Sequence, residues 1–292
     1  MMSMNKIALL LISLVFIGAV QAQEVSQHFK IYNTKTKSIA TLENIVEHAG
    51  DFDIIFFGEE HNDSIGHVMQ DTLYKALLAA HKDVTLSMEM FERDCQIVVD
   101  EYVAGIITEQ QLIKEGRAWK NYRDYAGPVN TARALHQKVI AANAPRRYVN
   151  LVSRKGLASL DALEKDAKQY FASLPIDTVN ARYAERFKTI MGGHVPNRNM
   201  YYAQSLWDAT MAESIYEAWK VNKKTKVFHL NGKFHTDERL GTVTQLERIN
   251  KRVRITTISC FRADDFNSPD WTKYQHLADF IILTDPAIKA TF

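Results

Sequence analysis

Asp53-Ile54-Ile55-Phe56-Phe57-Gly58-Glu59-Glu60-His61 recurs in outline as Lys226-Val227-Phe228-His229-Leu230-Asn231-Gly232-Lys233-Phe234-His235. Each copy is a run of apolar, β-branched and aromatic residues that ends in Gly-x-x-His. Behind each stands a polar pair suited to capping a helix, Asn62-Asp63 or Thr236-Asp237, and then a helical stretch. A second strand-like run follows in both, at 84–91 and at 253–261. One strand–Gly-x-x-His–helix–strand unit is therefore written near each end of the chain. Ligands of open α/β sheets bind outside the carboxyl ends of the strands, where these two loops belong. His61 and His235 are thus candidates to face one shared site.

The stretches between the repeats support an α/β reading. Ile65, Val68, Met69, Leu73, Leu77 and Leu78 recur at three and four residues, the spacing of an amphipathic helix. Residues 95–116 read as helical through Val98, Val99, Val103, Ile106, Ile107 and Leu112. A short strand is expected at 139–143, and Pro145 opens a helix from 146 to about 163. Residues 161–201 are the least regular part, with Pro175, Gly192-Gly193 and Pro196 as breakers. A helix spans about 202–221, and a final strand spans 279–284. Strands alternating with helices predict a mostly parallel sheet flanked by helices, with a helical insertion at roughly 95–220 between the two units. No linker rich in Pro, Gly or Ser divides the chain, so residues 23–292 read as a single domain.

The 292 residues carry a formal charge of +2, which gives no basic excess and so no case for a nucleic-acid partner. At the N-terminus Lys6 precedes the apolar run 7–17, and Val20-Gln21-Ala22 supplies small residues at the outer positions. That order predicts a secretory signal over 1–22, cleaved before Gln23, and an exported protein, periplasmic or secreted. No cysteine lies near the cleavage point, so a lipid anchor is not expected. Cys95 and Cys260 are the two cysteines; two in so large a domain are no disulfide framework, and buried free thiols are the plainer reading.

Chemistry concentrates at the strand ends. Glycine permits a tight turn and a close backbone approach, while a histidine held there can ligate a metal or act as a base near neutral pH. Glu59 and Glu60 add carboxylates beside His61. Glu89 interrupts the apolar run Leu86-Ser87-Met88-Glu89-Met90-Phe91, where a buried carboxylate is costly unless paired. His67, His81 and His136 read as surface or core-edge residues of helices, and His229 as a packed strand residue. His194 lies in the loop Met191-Gly192-Gly193-His194-Val195-Pro196, able to reach over a pocket. Tyr122, Tyr125, Tyr201 and Tyr202 flank candidate loops.

Five segments together resemble the ChaN-like haem-binding uptake family of the wider Tiki/TraB/erythromycin-esterase superfamily. They are Phe57-Gly58-Glu59-Glu60-His61, Ser87-Met88-Glu89-Met90-Phe91-Glu92-Arg93, Ala142-Asn143-Ala144-Pro145-Arg146, residues 203–212 (with Asp208) and Asn231-Gly232-Lys233-Phe234-His235. They stand in the family's order and cover nearly the whole mature chain. The resemblance implies haem as cofactor, a role in bacterial haem or iron acquisition alongside an outer-membrane haem receptor system, and a helical insertion that helps enclose the ligand. Haem held between two subunits of a homodimer suits such families. The haem-binding candidates are His61, Arg93, Arg146, His194, Tyr201, Tyr202, Asp208 and His235, with a Tyr or His on the iron and Arg93, Arg146 or Arg198 on the propionates.

The wider superfamily also contains metal-dependent hydrolases built on paired Gly-x-x-His. In that alternative His61, Glu89 and His235 hold zinc, manganese or cobalt, and Glu59 or Glu60 completes a catalytic set that activates water. Whether the chain is an enzyme stays open at this stage. Both readings share one geometric expectation: His61 and His235 converge on a single cavity at the carboxyl edge of one sheet, with Glu89 entering from a neighbouring strand.

Overall fold

The computed structural model of the chain describes residues 27–292. The signal read over 1–22 and its cleavage point lie outside the described residues. Strands β1 (Phe29–Asn33) and β2 (Ser38–Ala40) and helix α1 (Leu42–Ala49) precede the first repeat, which comprises β3 (Ile54–Glu59), α2 (Ser64–His81) and β4 (Val84–Glu92). The segment between the repeats holds α3 (Gln96–Val103), α4 (Glu109–Glu115), α5 (Tyr122–Ala134), β5 (Val139–Asn143), α6 (Arg146–Lys155), the single turn α7 (Lys165–Lys168), α8 (Ala181–Ile190) and α9 (Arg198–Val221). The second repeat is β6 (Lys226–Gly232), α10 (Thr242–Ile249) and β7 (Ile255–Arg262), and β8 (Phe280–Thr284) closes the fold.

The strands join in one sheet of order β2-β1-β8-β7-β3-β6-β4-β5. Neighbours from β8 to β5 are parallel, whereas β1 runs antiparallel to both β2 and β8. The first strands of the two repeats are direct partners, with Gly58 opposite Asn231 and Glu59 opposite Gly232. Each also pairs with the second strand of the other repeat, β3 with β7 and β6 with β4. The four central strands thus interleave the two units, and both Gly-x-x-His loops open at the same edge.

Interleaving explains the unbroken apolar runs. Ile55 and Phe57 pack into the core under α2 and α5, while Ile54 and Phe56 pack with Ala212, Ile215, Val243 and Leu246 under α9 and α10. A central parallel strand covered on both faces has no solvent side to show in its pattern.

Several local expectations change. Residues 95–116 are not one helix: the chain breaks at Gly105, whose φ is 77°, and resumes at Thr108, the N-cap of α4. The helix from 146 stops at Lys155 rather than near 163, because Gly156 takes a φ of 80°. Helix α5 is an addition to the elements expected, and it carries Gly127-Pro128 within its span. The glycine there lets α5 approach α2 closely, since a Cβ would meet Asp71 at 3.2 Å. Asp63 does cap α2, accepting from the Gly66 N–H at 3.0 Å. Thr236-Asp237 caps nothing; Asp237 instead accepts from Ser259 Oγ at 2.7 Å and pairs with Lys233, and α10 starts only after Gly241. Cys95 and Cys260 are both free and buried. Among the described residues no helix is long and apolar enough to cross a membrane.

Candidate functional site

A cavity of about 810 Å³ opens at the carboxyl edge, between the two Gly-x-x-His loops and the segment that joins the repeats. Glu59, Glu60, His61, Glu89 and His235 all line it, so the convergence expected of the two histidines and Glu89 is present. Glycine makes it possible, though not through a left-handed turn: neither Gly58 nor Gly232 has a positive φ. A Cβ on Gly58 would stand 2.7 Å from Thr236 Oγ1 and 2.9 Å from the Lys233 Cα. One on Gly232 would stand 2.9 Å from the His61 Cε1. Each glycine therefore makes room for the loop of the other repeat, the close-approach use of the residue.

His61 is held from behind. Its Nδ1–H donates to Glu59 Oε1 at 2.7 Å, and the ring stands edge-on to Trp119 with centroids 5.0 Å apart. Glu59 is fully buried and also accepts from Tyr125 Oη at 2.7 Å and Gln70 Nε2 at 2.6 Å. His67, expected near the surface, is buried behind this group, 3.3 Å from Glu59 Oε2. Burial works against a charged His61, but the Glu59 hydrogen bond and the charges of Glu89 and Glu59 outweigh it and raise its pKa. With Nδ1 committed and its side chain 42% exposed, His61 turns toward the cavity with Nε2 making no hydrogen bond among the described residues.

His235 is committed on both sides. Nδ1 pairs with Asp208 Oδ1 at 2.7 Å and Nε2 lies 3.5 Å from Glu89 Oε1. Asp208 is itself fixed by Tyr183 Oη at 2.7 Å and Thr242 Oγ1 at 2.9 Å. Glu89 belongs to a strand that runs on to Glu92, and it accepts from the Gly232 N–H at 2.7 Å. Burial resists both charges, but their mutual attraction wins: Glu89 is pushed down, and His235 is raised by Glu89 and Asp208 together. The pair is an internal ion pair.

This pairing lends no support to the metal set read from the sequence, His61, Glu89 and His235. Among the described residues no group of three or more His, Cys, Asp and Glu side chains is arranged to hold a metal ion. The His235 and Glu89 donors face each other and the Gly232 N–H, and His61 Nδ1 faces Glu59.

Other candidates fall elsewhere. Arg93 is not among the cavity's lining residues; it is half-buried, donating to Glu213, Ser214 Oγ and the Thr210 carbonyl. Asp208 sits behind His235, out of reach of a ligand. Tyr201 packs with Tyr183 and Phe187, and Tyr202 stacks under the exposed Arg198, both away from the cavity. His194 is exposed on its loop and does not reach the lining, although Met191 from the same loop does. Arg146 lines the cavity. The residues not anticipated are the apolar wall: Trp119, Phe187, Ile190, Trp207 and Phe234. The one available signal was Trp119, a tryptophan set between cations in a short connection.

The residues present suit a haem. The wall is aromatic and aliphatic, one histidine offers a free ring nitrogen, Arg146 is cationic, and the volume lies in the upper part of the roughly 300–1,000 Å³ expected of small-ligand sites.

Comparison with known proteins agrees. Residues 45–246 match the profile of the family described as haem-binding uptake, Tiki superfamily, ChaN. Among solved structures, the chain is similar to ChaN of Campylobacter jejuni, described with cofacial haem binding, at 18% identity and a TM-score of 0.66, covering 88% of this chain and 97% of that one. It is also similar in fold to the type III effector HopBA1, at 12% identity and a TM-score of 0.50, covering 84% and 93%. An erythromycin esterase in its open conformation matches at 11% identity and a TM-score of 0.49 over 88% and 83%, too distant to carry an argument. Curated protein sequences give no match. With more than half of its length matched by that profile, the chain belongs to the ChaN haem-binding uptake family of the Tiki superfamily.

Proposed function

We propose that this protein, as one domain, binds haem in the cavity at the carboxyl edge of its sheet and serves haem or iron acquisition after export. The observation that carries the reading is the free Nε2 of His61, presented beside an aromatic wall in a cavity of about 810 Å³. A histidine whose other nitrogen is held by a carboxylate is oriented and made more basic, as iron-ligating histidines commonly are. His61 is the ligand in this reading, because His235 is consumed by its ion pair and no tyrosine among the described residues lines the cavity. Arg146 pairs with a propionate. The similarity to a ChaN described with cofacial haem supports the assignment, as does family membership.

An outer-membrane receptor system is the natural source of the ligand, and a homodimer the natural way to cover it. Titration of the mature protein with hemin tests the reading. A saturable Soret shift is expected, with a changed ligand-field spectrum in His61→Ala. No saturable shift in the unaltered protein would overturn it. For export, the N-terminus of the processed protein should be found at Gln23.

A further inference from the structure

Beyond β8 the chain continues as a strap without helix or strand, residues 285–292, tied along the first Gly-x-x-His loop. The strap lies outside residues 45–246, the part that the family profile matches. Ile288 packs against the main core, and the Arg262 guanidinium donates to the Pro286 and Ile288 carbonyls at 2.6 and 3.0 Å. Ser64 Oγ donates to the Lys289 carbonyl at 2.9 Å, and the Thr291 N–H donates to the Asn62 carbonyl at 3.0 Å. Asn62 directly follows His61, and Ser64 opens α2.

These anchors share a residue with the site. The Arg262 backbone N–H donates to Glu60 Oε2 at 3.3 Å, so one arginine holds both the strap and a carboxylate of the cavity. The course of the strap is therefore fixed as far as Thr291, and it delivers Phe292 to the cavity, where the residue joins Glu60, His61 and Asn62 in the lining. The Phe292 ring is nonetheless 72% exposed. Hydrogen bonds hold its backbone while its side chain gains little from packing. An apolar ring brought to a cavity mouth and left open to water gains burial once an apolar body fills that cavity.

We propose that Phe292 is a ligand-retaining residue: the strap holds its ring at the cavity mouth, and the ring folds onto the apolar body of a bound tetrapyrrole and slows its release. The inference rests on the haem reading above. A flat aromatic ligand suits a phenyl ring, which covers it by offset or edge-on contact. The strap backbone stays in place, because only the Phe292 side chain turns, and exposed side chains change rotamer within nanoseconds. Entry is thus unhindered, and the effect falls on the rate of release.

The test follows transfer of hemin from the loaded protein to an excess of a haem-scavenging apoglobin, for the parent, Phe292→Ala and Phe292→Trp. Without hemin, Phe292→Ala should melt with the parent, since the exposed ring contributes little to packing. With hemin it should keep the parent's Soret position, because His61 is untouched. Release from Phe292→Ala should be roughly ten- to a hundredfold faster, the range set by covering one phenyl side chain. Phe292→Trp should release as slowly as the parent. Release from Phe292→Ala at the parent's rate overturns this inference and leaves the haem reading standing. A Soret position that moves together with the rate also overturns it, since the residue then acts through the iron ligand. So does a changed sedimentation rate of hemin-free Phe292→Ala, which would assign the ring to a contact between copies. Failure of the unaltered protein to take up hemin removes both readings.

Discussion

The imidazole of His61 rests on the bare α-carbon of Gly232: a Cβ there would lie 2.9 Å from Cε1 and 3.0 Å from Nε2. The contact joins the two repeats, because the histidine of the first needs the glycine of the second. Gly58 has the converse role toward Lys233 and Thr236, but what it meets includes backbone. The two glycines are therefore expected to fail differently when replaced. Gly58→Ala should cost about 1–3 kcal/mol of stability through overpacking that the strand ends cannot relieve. Gly232→Ala should cost less stability, because the ring can rotate aside, and lower hemin affinity by roughly tenfold, about 1.4 kcal/mol. Thermal melting and hemin titration of both variants check this; equal melting losses with unchanged hemin affinity would argue against it.

Among the described residues Glu59 is the only carboxylate bonded to His61, and removing its charge should lower the His61 pKa. Burial already pushes that pKa down, and the Glu59 hydrogen bond is the largest influence raising it. In Glu59→Gln, proton resonances of His61 should titrate at lower pH than in the parent. An unmoved titration would mean that Glu89 alone sustains the charge on the ring.

The Glu89–His235 pair makes stability depend on pH at both ends. The His235 pKa is raised from 6.5 to about 10, so its contribution is complete below 6.5 and is lost as pH rises toward about 10. The Glu89 pKa is lowered from 4.5, so its contribution is complete above 4.5 and fades as pH falls below it. Replacing His235 strands the Glu89 charge inside the protein, at a cost of about 3–5 kcal/mol, whereas replacing Glu89 leaves His235 to Asp208 alone and costs less. Glu89→Gln should melt below the parent at pH 7, with the loss of stability between pH 7 and 10 reduced rather than abolished, because Asp208 still holds His235 Nδ1 at 2.7 Å. Parallel melting curves for parent and variant across that range would contradict the pairing.

Legibility in the sequence followed periodicity. Strands β3 and β6 stood out because both of their faces are buried, and the repeat of Gly-x-x-His placed two histidines at one sheet edge. Glu89 was visible as a charge inside an apolar run. The antiparallel strands β1 and β2 at one side of the sheet and the short helix α1 offer no comparable contrast. Asp237 resembles a helix cap because two of its three partners, Ser259 and Arg186, are distant in sequence and only Lys233 is near. The aromatic wall was unreadable for the same reason: Trp119, Phe187 and Trp207 come from three separate elements, and only the packing of those elements brings them together. Arg93, Tyr201 and Tyr202 are residue types that sites use, and the packing here spends them on structure.

His229 offers a last test, on a neighbouring group outside the cavity. It is fully buried in β6, its Nδ1 bonded to Ser87 Oγ at 2.9 Å and its Nε2 without a partner. Burial is the main reason that its pKa falls from 6.5 to about 3, with the charge of His235 adding to it against the pull of Glu89. The folded protein keeps this ring neutral while the unfolded chain protonates it, so stability should fall as pH drops from 6.5 toward about 3. That loss begins above the range where Glu89 takes up its proton. A His229→Leu variant should show a flatter dependence of melting temperature on pH between 6.5 and 4.5, because no buried imidazole remains to resist protonation. Its stability at pH 7 should change by no more than about 1–2 kcal/mol, since the ring has an apolar setting beside Phe56 and the main loss is the bond to Ser87. An acid dependence as steep as the parent's would show that other groups, and not His229, set the acid limit of the fold.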